Sequence, residues 1–168
     1  MEITIRRGGV PDASAAAELW LRARTAAVTA IPAPVHSETE IRSWFVTHVA
    51  RDLELWVAEA TGGGLLGILV LDEDCIDQLY VDPATTEQGI GSRLLSLAKA
   101  ERPGGLRLWA FVANTRAQRF YERHGSARVA ADVGVERPLR VVLARVHVRD
   151  LARRVDEDRG GKSLDHRK

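Results

Sequence analysis

Apolar positions along the chain change their period several times, and each change marks an element. From Glu2 to Arg7, Ile3 and Ile5 alternate with polar neighbours, the period of a half-buried strand, and "GGVPD" then stops it. The period next becomes helical. Ala16, Leu19, Trp20 and Ala23 share one face of a helix expected from about Asp12 to Ala27, with Asp12 or Ser14 as its cap. "IPAPVH" breaks that pattern, and Ser37 with Glu40 forms a capping box ahead of Ile41, Trp44 and Phe45. This predicts a second helix ending near Ala50. "LELWVAEA" and "LLGILVL" are β-rich runs joined by "TGGG", a hairpin whose loop needs positive φ, and "CIDQLYV" after "DED" completes an antiparallel meander.

Downstream, Ile90, Leu94, Leu97 and Ala98 line one face of a helix that "ERPGG" ends near Glu101, and "LRLWAFV" reads as a further strand. Thr115 and Gln118 have the spacing of a second capping box. Ala117, Phe120, Tyr121 and His124 continue that helix, and Gly125 stands at its C′ position. "ARVAA" and "LRVVLARVHV" are expected to be two closing strands across "DVGVERP". The order β-α-α-β-β-β-α-β-α-β-β predicts an α/β (mixed α+β) fold: a mixed, mostly antiparallel central sheet with helices on both faces, not a doubly wound parallel sheet. One domain is expected over residues 1–148, with residues 149–168 a charged, flexible tail.

Composition narrows the function classes. The 168 residues suffice for one domain with a real core, and 24 Lys plus Arg against 23 Asp plus Glu leave a net charge of +1. No global field draws the chain to nucleic acid or anionic lipid. Cys75 is the sole cysteine, so no internal disulfide can form, and no Cys/His cluster offers zinc spacing. No apolar run approaches the ~20 residues of a spanning helix. These features lead us to expect a cytoplasmic protein with no membrane, nucleic-acid or metal partner.

The stretch "LYVDPATTEQGIGSRLL" places two glycines before a helix, where free backbone amides suit an anion. A Walker A loop would need Lys and Ser or Thr after its last glycine, where Ser92 and Arg93 stand; a dinucleotide fingerprint would need a third small residue where Leu94 stands. Both fail. The stretch "QLYVDPATTEQGIGSRLLSLAKA", followed by "LRLWAFVANTRAQRFYERHG", resembles the acetyl-CoA-binding half of the GNAT superfamily of N-acyltransferases over roughly Cys75 to Gly125. The resemblance implies the GNAT fold, acetyl-CoA as co-substrate, and a small-molecule primary amine as acceptor, attacked directly in a ternary complex; a homodimer is compatible with it. It also implies that Gln88, Gly89, Ile90, Gly91 and Ser92 hold the pyrophosphate, that Leu79 and Val81 pair with the pantetheine amides, and that Asn114, Ala117 and Tyr121 line the same arm. Thr86 stands where the family usually has Arg or Gln, and Glu87 adds a negative charge that Arg93, Arg116 or Arg119 would offset.

Acyl transfer to an amine needs a neutral nucleophile, a polarised carbonyl and a tolerated leaving thiolate. By resemblance the Leu79 N–H is the oxyanion donor and Tyr121 assists the departing sulfur. Asp77, two residues before Leu79, shares its face on a regular strand and is the candidate base, although a bulge between them would alter that. His36 opens the segment "HSETE", similar to one in a subset of bacterial GNAT proteins, where this loop covers the acceptor site. The alternatives kept open are a non-catalytic acyl-CoA-binding module, a protein N-terminal or lysine acetyltransferase, and a partner protein acting through its tail.

Overall fold

The computed structural model describes residues 2–130 and 139–143. Among the described residues seven strands form one sheet in the order β1-β2-β3-β4-β5-β7-β6: β1 (Ile3–Arg7), β2 (Glu54–Ala60), β3 (Leu65–Asp72), β4 (Cys75–Val81), β5 (Leu106–Ala110), β6 (Ser126–Ala130) and β7 (Leu139–Leu143). All neighbours are antiparallel except β4 and β5. The mixed sheet expected from the element order is therefore present. The "DVGVERP" connection and the charged tail lie outside the described residues.

Helices cover both faces. On one side α1 (Ala13–Ala26) and α2 (Glu38–Trp44) pack Leu19, Trp20, Ile41 and Phe45 against Leu55, Val57, Ile68 and Val70. On the other, α3 (Ile90–Glu101) and α4 (Thr115–Arg123) bring Ile90, Leu94, Leu95 and Tyr121 onto Leu69, Leu71, Ile76 and Leu108. Alternation along β3 supplies both cores, because successive side chains leave a strand on opposite faces. Gly67 lets α3 approach: a Cβ there would stand 2.9 Å from Leu94 and 3.0 Å from Ile90.

Local signals fared unevenly. Ser37 and Glu40 form the expected capping box, but α2 continues through a π-helical turn (Phe45–Val49) and a last α-turn (Ala50–Asp52). Asp12 occupies the N-cap of α1 without a side-chain cap bond; its carboxylate instead accepts from Arg6 and from the Gly9 amide. The second expected capping box is absent. Asn114, not Thr115, is the N-cap of α4, its Oδ1 accepting from the Ala117 amide at 3.1 Å. The buried Gln118 side chain turns back to donate to the carbonyls of Phe111 and Val112, at 3.1 and 2.7 Å.

Candidate active site

The parallel pairing of β4 with β5 covers only Cys75 with Arg107 and Ile76 with Leu108. Beyond that point the strands part. The Asp82 amide donates to the Leu66 carbonyl at 2.8 Å, which sets the phase of the β3–β4 ladder: Gln78, Tyr80 and Asp82 exchange bonds with β3. Alternation then points the N–H and C=O groups of Leu79 and Val81 to the other edge, where β5 has withdrawn. A cleft of about 760 Å³ opens there. Leu79, Tyr80 and Val81 line it, and the start of α3 continues it.

That helix start is held open by its own residues. Asp82 caps a 3₁₀ turn (Pro83–Thr85) through the Ala84 amide at 3.0 Å and pairs with Arg22 of α1 at 2.6 Å. Burial works against the Asp82 charge, but these two partners outweigh it and hold the carboxyl below its ordinary range. Gly89 follows at φ +76°, a left-handed conformation that suits glycine. The Arg93 amide makes the bond back to the Gly89 carbonyl, at 3.0 Å, and among the described residues the amides of residues 88–92 have no acceptor. The cleft beside them is lined by Gly89, Ile90, Gly91, Ser92, Asn114, Ala117 and Tyr121, but not by Gln88.

The cations around this end divide by aim. Arg116 pairs with Glu87 at 3.6 Å and lines the cleft, whereas Arg93 turns away to the Ile3 carbonyl at 2.9 Å. Arg123 and His124, not expected from the sequence, line it as well. Because His124 sat on the helical stripe among apolar residues, nothing local distinguished it from a core residue.

Tyr121 reaches the cleft from α4 and is 8% exposed. Burial, and secondarily the nearby Tyr80, push its hydroxyl above the ordinary tyrosine range, so it stays protonated at neutral pH. Asp77 departs from the expectation. Val70 pairs with Gln78 and Leu71 with Ile76, so Asp77 is the extra residue of a bulge and does not share the face of Leu79. Its carboxylate accepts from Gln78 Nε2 at 3.1 Å, and Gln78 Oε1 in turn accepts from the Trp20 indole at 2.8 Å, which places it on the α1 side of the sheet. An indole only donates, so Trp20 fixes which way the Gln78 amide faces. Burial raises the Asp77 carboxyl above the usual carboxylate range, against the pull of the Gln78 bond and His48.

His36 is not brought to this cleft: its side chain is 75% exposed and 4.0 Å from Glu40. Cys75 sits at the root of the wedge, its thiol pushed up to about 11 mainly by burial and next by Asp77, which keeps it protonated and inert. No helix among the described residues is long and apolar enough to cross a membrane.

Residues 51–125, the span that builds this cleft, match the acetyltransferase (GNAT) domain family. Over that span the chain carries a GNAT acetyltransferase domain. It is 29% identical over 125 residues to the peptidyl-lysine N-acetyltransferase YjaB of Salmonella typhimurium, covering 74% of this chain and 83% of that protein. Among solved structures, apo YjaB from Escherichia coli superposes with a TM-score of 0.68 at 24% identity, over 88% of this chain and all of that one. The PaiA N-acetyltransferase of Thermoplasma acidophilum, solved in complex with coenzyme A, gives 0.64 at 20% identity over 84% and 98%. The domain is that of acyltransferases, and the fold is that of these acetyltransferases.

Proposed function

We propose that the chain transfers the acetyl group of acetyl-CoA to a primary amine by direct attack in a ternary complex. The observation that carries this reading is continuity: the open edge of β4 at Leu79 and Val81 runs into the unpaired amides of residues 88–92. A pyrophosphate suits the helix start, where the N–H groups and the helix dipole both favour an anion. An amide-bearing arm suits the strand edge, and Asn114 and Ala117 stand where they would flank it. Acetyl-CoA brings an activated thioester whose carbonyl carbon the amine attacks.

The chain's own residues do the rest. The Leu79 N–H, turned into the wedge, is placed to bind the developing oxyanion. Tyr121 donates a hydrogen bond to the departing sulfur. A free thiol titrates at ~8.5 and an unperturbed tyrosine at ~10, and Tyr121 is raised further, so it stabilises the thiolate without surrendering its proton. Asp77, on the α1 side with Gln78, takes the amine proton as the acceptor enters from that side. Ala27 and Ile31, from the loop after α1, line the cleft.

The acceptor is a small primary amine in this reading. Similarity to a protein named a peptidyl-lysine N-acetyltransferase favours a second, a lysine side chain. Thiol release from acetyl-CoA, measured with a panel of small amines and of lysine peptides, decides between them. Tyr121→Phe should lower turnover about tenfold, the order of one hydrogen bond to a charged group, with donor affinity retained. Tight donor binding without thiol release from any amine or peptide overturns the catalytic reading in favour of an acyl-CoA-binding module.

A further inference from the structure

His124 follows α4 at a point where its ring meets α3. Its Nδ1 lies 2.7 Å from the Phe120 carbonyl oxygen and its Nε2 2.9 Å from the Ser92 hydroxyl. A carbonyl only accepts, so Nδ1 carries the proton, and in the neutral ring Nε2 is a bare lone pair. Ser92 must then donate to Nε2. The single hydrogen of its hydroxyl is spent inside the protein, although Ser92 also stands at the open start of α3 and both side chains line the cleft. An anion at the helix start would therefore meet the Ser92 lone pairs.

We propose that His124 is a positioning residue for the donor pyrophosphate: by taking up one proton at Nε2 it turns the Ser92 hydroxyl from its own ring toward a phosphate oxygen. This rests on the donor reading above. The proton comes from solvent; Nε2–H then donates to Ser92 Oγ, Oγ–H donates to phosphate, and no other bond changes. Groups from each element surround the ring. Lys99 of α3 donates to the His124 carbonyl, the Phe120 ring lies 4.4 Å from the imidazole, and Arg116, Arg123 and Glu87 line the same cleft. Arg116 engages the one carboxylate among them, Glu87. Proton uptake by the ring and binding of the anion then each favour the other. Donor affinity should fall as pH rises, by up to about tenfold per pH unit for one linked proton.

The test is calorimetric titration of the full chain with 3′-dephospho-CoA, which keeps the pyrophosphate and lacks the monoester that itself titrates near pH ~6. Two buffers of different protonation enthalpy at one pH read out the protons taken up. The unmodified chain should take up a fraction of a proton, and His124→Gln and Ser92→Ala should take up none and bind with an affinity flat between about pH 6 and 8. Ser92→Ala keeps the test available if His124→Gln does not fold. Binding without proton uptake by the unmodified chain, or uptake that persists in Ser92→Ala, overturns the proposal and leaves the donor reading standing. No binding at any pH overturns both.

Discussion

Helices α2 and α3 begin in opposite ways. At α2 the Ser37 hydroxyl accepts from the Glu40 amide at 3.3 Å, and the Glu40 carboxylate accepts from the Ser37 amide at 2.7 Å, so the first turn answers its own donors. At α3 the N-cap is Gly89, which has no side chain to offer, and the amides of residues 88–92 stay open. Both helices bury an apolar face, so packing does not explain the contrast. The start of α4 is a third case, in which Asn114 answers one amide and itself lines the cleft. A helix start that its own sequence leaves unanswered, beside a strand edge that its neighbour has left, is a surface prepared for something other than the protein.

The largest effect should come from closing the open start. Gly91→Glu puts a carboxylate among those amides at a position where a Cβ meets Phe120 and Val81 at ordinary distances of 3.5 and 3.6 Å. The fold should survive while acetyl-CoA affinity by calorimetry falls about 100-fold, the repulsion expected between near charges at a protein surface; unchanged affinity would misplace the pyrophosphate. Asp77 probes the same contrast along β4, at the bulge that precedes the open edge. In the proposed reaction its deprotonated form is the base, and its carboxyl is raised, so activity should be present above that point and lost as pH falls through it. The acid limb of kcat/KM should therefore lie above the ordinary Asp value of ~3.9, and Asp77→Asn should lower kcat/KM about tenfold or more and remove that limb. The smallest change is expected at the closed start. Ser37→Ala should lower the melting temperature by a few degrees and leave the donor Kd where it was, because that cap serves only the fold.

Much of this contrast was legible along the chain because it is local. A capping box, a C′ glycine such as Gly125 at φ +84°, and a "TGGG" hairpin with all three glycines at positive φ involve residues only a few positions apart. A local error at α4 has the same origin. Thr115 and Gln118 had the spacing of a capping box, but Asn114, one residue earlier, is an equally good cap and sits where the chain turns into the helix. The side chains that finish the site were not legible. Ser92 meets His124 across 32 positions, and Trp20 orients Gln78 across 58. No period or spacing connects such pairs, and His36, singled out by its local segment, is exposed beside its own helix cap.

The sequence by itself determined which segments become strands and helices, which helix start lacks a cap, and so where an anion could be held, since backbone propensity and capping depend on near neighbours. Tertiary structure alone decided where the chemistry points. The β4–β5 parting turns the edge of Leu79 and Val81 into a binding surface, and the extra residue at Asp77 moves its carboxylate to the α1 side. The reason is geometric. A strand edge is open or closed, and a side chain faces one layer or the other, only in relation to a partner strand whose register is set across the whole sheet.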